Sequence, residues 1–391
     1  MQARPLPEGL PRPDADTETH SRRVLEYVKR QIELSAGAIT FGEYMHHALY
    51  APDLGYYTSG SAKFGEGGDF VTAPEIAPLF ARVLARQCLP VLACGNDEAI
   101  LEFGAGSGIL AAQLLERLAE FDALPARYQI LEVSAELRAR QRETLRRQVP
   151  RLLERVQWLD ELPRRFRGVV VANEVADALP LERFRIVDGG VEQQFVIVDS
   201  GSLSSVWRSA QPTLRNAVSE LGVELAAGFE GDINLSLKPW VSSLLDSLDS
   251  GLVLLFDYGL SRKEYYAQDR SGGWLQCHFR HRAHSDPLVL PGAQDITGWV
   301  DFTAVAEAAT AAGAAVAGYV TQTMFLLHGG VDAEFAALTE QHPEVLHALA
   351  GQLKILTLPA EMGENFKCIG LTKGSVPVVS ALAEADRSAA L

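Results

Sequence analysis

Three glycines at alternate positions, Gly104, Gly106 and Gly108, begin two residues after Glu102 and lead directly into a helical stretch over residues 109–121. A turn without Cβ atoms lets backbone run close to a bound molecule, and the first amides of the following helix point outward without intrahelical partners. Residues of these types in this order suit a small-molecule site. The spacing narrows the ligand. A dinucleotide fingerprint, G-x-G-x-x-G, would need its third glycine where Ile109 stands, so that fingerprint fails. A second acid, Glu132, ends the apolar run 128–133, about 20 residues past the loop, where a strand-tip carboxylate can accept hydrogen bonds from a ribose diol. A third polar group, Asn173, Glu174 and Asp177, follows the strongly apolar run 168–172. In open α/β sheets ligands bind outside the carboxyl ends of the strands, where this group emerges.

Positioning these groups requires strands and helices in alternation. Apolar runs over 100–103, 128–133, 155–159, 168–173 and 251–259 read as buried strands, and 109–121, 134–148 and 301–312 as helices. Runs 318–326 and 366–371 read as a closing strand pair at the sheet edge. The order predicts an α/β fold with a doubly wound sheet and insertions after its fourth and fifth strands. Ahead of it come a lead over 1–16, rich in proline and acids and expected to be disordered, and a helical and glycine/aromatic lid region over 17–95, in which Thr40 and Glu43 form a capping-box pattern and 74–92 a helix. Residues 51–73, dense in glycine and aromatics, read as a lid that closes over a ligand. The core is expected over 96–375, the insertions over 181–250 (with a hairpin around Gly189 and Gly190) and 260–300, and a tail over 376–391.

The formal charge of −15 opposes general binding of nucleic acid or anionic membrane, because the net field repels phosphate. It favours cationic partners, including segments rich in arginine or lysine. Ten arginines between Arg138 and Arg167 are interleaved with acids at helical spacing and read as a solvated face. The four cysteines show no metal-type pairing and suit a reducing compartment. Cys277, His278, His281, His284 and Asp295 cluster in the second insertion, but their spacing matches no known metal site and no metal is expected. With no secretory pattern at its start and no apolar run of the ~20 residues a membrane span needs, the chain is expected in the cytoplasm.

The pattern E-x-G-x-G-x-G resembles motif I of the class I S-adenosylmethionine-dependent methyltransferases. Longer stretches are more specific. Gly68-Asp-Phe-Val-Thr-Ala-Pro-Glu75, Glu132-Val-Ser134, Asn173-Glu-Val-Ala-Asp-Ala-Leu-Pro180, Asp257-Tyr-Gly259, Asp295-Ile-Thr297 and Met362-Gly-Glu-Asn-Phe-Lys367 together resemble the MidA-type family, which includes mitochondrial complex I assembly methyltransferases. The likeness runs from about Ile39 to Leu371, and the loop departs from relatives only at Ala105 and Ser107. The resemblance implies a seven-stranded, Rossmann-like class I fold and S-adenosyl-L-methionine as cofactor. It places Glu102, Gly104, Ala105, Gly106, Gly108, Glu132, Val133, Asn173, Thr72 and Pro74 around that cofactor. It also implies methylation of an arginine in a partner protein.

A guanidinium acceptor has to be oriented and its charge offset, which carboxylates do by binding the planar fork. Glu174 and Asp177 are the candidates for that task, with Asp69 and Glu75 as second choices, and Asn173 serves either acceptor or cofactor. A non-catalytic assembly or scaffold protein keeping the same fold is the alternative from another class. A nicotinamide oxidoreductase fails on the glycine spacing.

Overall fold

The computed structural model describes residues 4–59, 72–95 and 97–391. The stretch 60–71, with Gly68, Asp69 and Phe70, lies outside the described residues, and with it most of the expected lid. The chain divides into two compact units. A core unit comprises Val71–Ala176, Lys238–Ser261 and Val300–Leu391, and an accessory unit Met1–Phe70, Asp177–Leu237 and Arg262–Trp299.

Seven strands form one path in the core unit: β1 (Ala99–Phe103), β2 (Tyr128–Leu131), β3 (Val156–Leu159), β4 (Phe166–Asn173), β5 (Leu248–Leu260), β6 (Ala315–Thr321) and β7 (Phe366–Lys373). Their spatial order is β6-β7-β5-β4-β1-β2-β3, and a two-residue strand, Val300–Asp301, pairs beside the end of β5. The five strands β1 to β5 pair in parallel, and β7 runs antiparallel to both β5 and β6. Val169, Val170, Val171 and Ala172 of β4 are all fully buried, as expected for a central parallel strand covered on both faces. The winding direction reverses between β1 and β4, whose ends lie level, Phe103 opposite Ala172. That reversal point is where doubly wound sheets bind ligands.

Helix α1 (Pro78–Leu92) is buried all round from Leu79 to Ala85, whereas α2 (Ile109–Glu120) and α3 (Ala135–Gln148) bury one face each. Phe80 of α1 meets Phe256 of β5 edge-on at 5.0 Å. The helix expected over 74–92 is broken at Ala77, whose extended backbone (φ −151°) separates a short helix, Ala73–Ile76, from α1. Pro78 explains the break, because a residue before proline is driven out of the helical region. The strand expected over 318–326 also needs correction. β6 ends at Thr321, whose side chain accepts the Met324 amide and caps a helix, Gln322–His328.

Two further helices of this unit are Val331–Gln341 and Leu346–Thr357. Glu334 on the first is fully buried and takes Arg82 and Arg117 at 2.8 Å and Arg86 at 3.3 Å, tying it to α1 and α2. The C-terminal segment expected as a tail instead places Val379, Ala381 and Leu382 in the core. A Cβ on Gly318 or Gly370 would come within 2.4 Å or 2.2 Å of Leu382, so those strands admit it only through their glycines.

The accessory unit differs from the expected linear division. The N-terminal segment does not stand apart from the insertions, because Ile39–Thr40 pairs antiparallel with Val196 and Phe195 of the strand Gly190–Asp199. That strand forms the expected hairpin with Glu182–Val187 and pairs on its other side with Ser202–Ser209. The Thr40 capping box forms, with Glu43 returning to the Thr40 amide at 2.7 Å. Gln276–Phe279, Arg282–His284 and Asp295–Thr297 make a separate three-stranded sheet.

Candidate active site

β1 delivers the chain into a turn in which Gly104, Gly106 and Gly108 all adopt left-handed backbone, with φ of 58°, 51° and 83°. Such angles suit glycine and strain other residues. Gly104 lies against Val175, which a Cβ would approach to 3.3 Å, so the turn runs beside the chain leaving β4. Ala105 is buried, and its carbonyl takes the Gly108 amide at 2.7 Å. Glu102 is buried beneath the turn and its Oε2 accepts from the Tyr128 hydroxyl at 2.7 Å. Burial pushes the Glu102 carboxyl up to about 7.

At the end of β2 the Glu132 carboxylate accepts the Ser134 amide at 2.9 Å and the Gln141 side-chain amide at 3.0 Å. Burial pushes this carboxyl up as well, opposed by those two donors, the Val133 amide and the Arg138 charge. Arg138 ties the tips of β2 and β3 together by donating to the carbonyls of Glu132 and Leu159 at 2.6 and 2.7 Å. Val133, the next residue, is 71% exposed, an apolar surface beside a buried acid.

Beyond β4, Asn173 donates from Nδ2 to Glu174 Oε1 at 2.9 Å, and the Ala73 amide donates to the same oxygen at 3.4 Å. Glu174 has left-handed backbone, φ 56°, held from β5. Its amide donates to the Phe256 carbonyl at 2.9 Å, while Asp257 accepts the amides of Ala176 (2.9 Å) and Val175 (3.3 Å). A non-glycine residue fixed in this region marks a position where surrounding structure enforces strain.

The turn Thr72 to Glu75 meets the glycine turn, α2 and Glu174. The Ser107 hydroxyl donates to Glu75, Gln113 of α2 donates to the Pro74 carbonyl at 3.4 Å, and Thr72 precedes Ala73 without a capping bond of its own. Two buried amide oxygens here, Asn173 Oδ1 and Gln113 Oε1, have no hydrogen-bond partner among the described residues. Orphaned acceptors are costly in a folded protein, and a ligand carrying donors can satisfy them.

Glu102, Gly104, Ala105, Gly106, Gly108, Glu132, Val133, Asn173, Glu174, Thr72 and Pro74 thus all belong to the core unit. Asp177 falls in the accessory unit. There the buried Tyr57 hydroxyl donates to Asp295 at 2.8 Å, and burial together with the charges of Asp295 and Asp177 holds that phenol well above its ordinary range. Sequence reasoning passed over Gln113, Gln141, Trp158 and the clamp role of Asp257. A signal for Gln141 exists: it occupies the middle of the stripe Leu137, Gln141, Leu145, a polar residue at core spacing.

Comparison with known proteins adds the following. A family profile described as "Putative S-adenosyl-L-methionine-dependent methyltransferase" matches residues 83–320. A crystal structure from Burkholderia thailandensis, bound to S-adenosyl-homocysteine, is 39% identical, superposes with a TM-score of 0.93, and covers 98% of this chain and 100% of its own. A native crystal structure from the same organism is 40% identical, with a TM-score of 0.91 and the same coverage. The Drosophila melanogaster "Protein arginine methyltransferase NDUFAF7 homolog, mitochondrial" is 28% identical, covering 94% of this chain and 89% of that protein. The Danio rerio "Protein arginine methyltransferase NDUFAF7, mitochondrial" is 27% identical, covering 89% and 86%.

Proposed function

Because the chain belongs to the family of S-adenosyl-L-methionine-dependent methyltransferases, we propose that it methylates an arginine side chain of a partner protein. The observation that carries this reading is Glu174, a carboxylate held in strained backbone just past the β4 tip, beside the glycine turn. The names of the relatives support the acceptor, as do the 50 acidic residues set against 35 basic ones, which favour a cationic segment.

S-Adenosyl-L-methionine, the cofactor of this family, supplies an electrophilic methyl carbon whose bonding pair leaves with sulfur. The protein's task is to hold the acceptor nitrogen in line and dry, and positioning of that kind supplies roughly 7–11 kcal/mol. We assign the cofactor to the turn of Gly104, Ala105, Gly106 and Gly108, with Glu102 supporting it from below. Glu132 accepts the ribose hydroxyls and Val133 covers the base. Thr72, Pro74 and Asn173 border the amino-acid end, where Asn173 Oδ1 would accept a hydrogen bond from the ammonium group. Glu174 binds the guanidinium fork, offsets its charge and fixes the attacking nitrogen, and its carboxylate takes the N–H proton that this nitrogen loses as the N–C bond forms. Asp177, three residues on, is the second carboxylate candidate.

Mass spectrometry of protein methylation in cells with and without this chain tests the reading. Loss of methylarginine from one protein, restored in vitro by the purified chain and labelled cofactor, is the expected result. A methyl mark lost from another residue type, with S-adenosyl-homocysteine binding intact, would overturn the arginine assignment and leave the cofactor site standing.

A further inference from the structure

Gln141 is fully buried on α3, and every polar atom of its side-chain amide is engaged or oriented. Trp158 Nε1 donates to Gln141 Oε1 at 2.9 Å. An indole N–H only donates, so the oxygen must face Trp158 and the NH₂ group must face away, which settles the amide's orientation chemically. The two hydrogens of that NH₂ then have two acceptors: Glu132 Oε2 at 3.0 Å and the Gly106 carbonyl at 3.2 Å. The Arg142 guanidinium stacks over the Trp158 ring at 4.6 Å and holds the indole in place. The turn is also in steric contact with this residue, because a Cβ on Gly108 would lie 2.9 Å from Gln141 Cα.

We propose that Gln141, oriented by Trp158, is a positioning residue that locks the Glu132 carboxylate to the glycine turn, so that the ribose grip and the amino-acid grip are set by one amide. This rests on the reading of Glu132 and the turn as cofactor-holding. The Ser134 amide occupies one Glu132 oxygen and Gln141 the other. With the Val133 amide as a third donor, acceptor capacity still remains on the carboxylate, so a ribose hydroxyl meets a group already fixed in direction. Without Gln141 the carboxylate keeps its backbone donors but loses its tie to the glycine turn, and the Gly106 carbonyl loses its side-chain donor.

Calorimetry with S-adenosyl-homocysteine and its 2′-deoxy analogue tests the lock on the wild-type chain, Gln141→Met and Trp158→Phe. In the wild type, loss of the 2′-hydroxyl costs about 10–100-fold in affinity, the range for a hydrogen bond to a charged group. In both variants S-adenosyl-homocysteine binds about tenfold more weakly, and the 2′-deoxy penalty shrinks to about threefold or less. Equal weakening of both ligands, with the penalty unchanged, would mean a merely structural role and overturn the proposal. Should Gln141→Met fail to fold, Trp158→Phe, which removes the orienting donor and keeps a smaller aromatic ring, decides the outcome alone. A wild-type chain that shows no 2′-deoxy penalty would instead sink the assignment of Glu132 to the ribose.

Discussion

The Tyr128 hydroxyl donates to Glu102 Oε2 at 2.7 Å, joining two buried side chains on neighbouring strands beneath the glycine turn. The phenol donates to a carboxylate that burial pushes up to about 7, with the charge of Glu132 adding to the rise and the Tyr128 bond opposing it. The folded chain therefore keeps a proton on Glu102 that the unfolded chain has released. Between the ordinary value of 4.5 and about 7, the native state binds more protons, and stability falls as pH rises through that window.

Glu102→Gln keeps an acceptor for Tyr128 and removes this titration. The variant is expected to match the wild type near pH 4 and to exceed it at pH 8 by on the order of 3 kcal/mol. Urea unfolding midpoints across that range measure the difference. Parallel pH profiles for the two chains would mean that Glu102 does not carry the slope. Tyr128→Phe removes the opposing bond and extends the slope to higher pH.

Gly106 and Gly108 fail on substitution for different reasons. Gly106→Val places a β-branched side chain at φ 51° in the turn and abolishes binding of S-adenosyl-homocysteine. Gly108→Ala sets a Cβ 2.9 Å from Gln141 Cα at φ 83° and destabilises the fold by about 1–3 kcal/mol. Calorimetry reads the first and thermal unfolding the second; unchanged affinity in Gly106→Val would remove the turn from the cofactor site.

Glu174→Gln retains the contacts of its amide and its shape while losing the charge. Affinity for S-adenosyl-homocysteine stays within about threefold, and methyl transfer to the true acceptor falls about 100-fold or more. Single-turnover rates with labelled cofactor make the comparison. Full activity would reassign the acceptor carboxylate, with Asp177 next in line.

Asp257 holds the strained segment after β4 by accepting the Val175 and Ala176 amides. Asp257→Ala orphans both and costs about 1–3 kcal/mol for each amide left unpaired. Thermal unfolding of the variant is the measurement, and a loss below about 0.5 kcal/mol would show that the clamp is dispensable.

Ser107 and Glu75 are expected to act as one unit, since the hydroxyl of the first donates to the second. Ser107→Ala and Glu75→Gln each weaken cofactor binding, and the double variant is weaker than either single variant by little. A coupling of about 0.5 kcal/mol or more in the double-mutant cycle is the signature; strict additivity would separate them.

The chain's local order already determined much of this molecule. Glycine spacing, the apolar runs of β1, β4 and β5, the capping box of Thr40 and Glu43, and an acid placed after β2 are all written within one element and its neighbour. Periodicity reports which face an element buries, so the doubly wound order followed, while the cofactor class was implied by the resemblance of the glycine motif and the longer stretches to a known family. Periodicity does not report which polar group each buried face will meet. That Thr72 to Glu75 closes on Ser107, Gln113 and Glu174, that Gln141 finds Trp158 and Glu132 together, and that Leu382 enters the sheet beside Gly318 and Gly370 depend on strand register and helix rotation. So does the pairing of Ile39–Thr40 with a strand more than a hundred residues away, which joins the N-terminal segment to Asp177–Leu237 within one unit. These contacts join residues remote in the chain, and only the packed fold sets their distances.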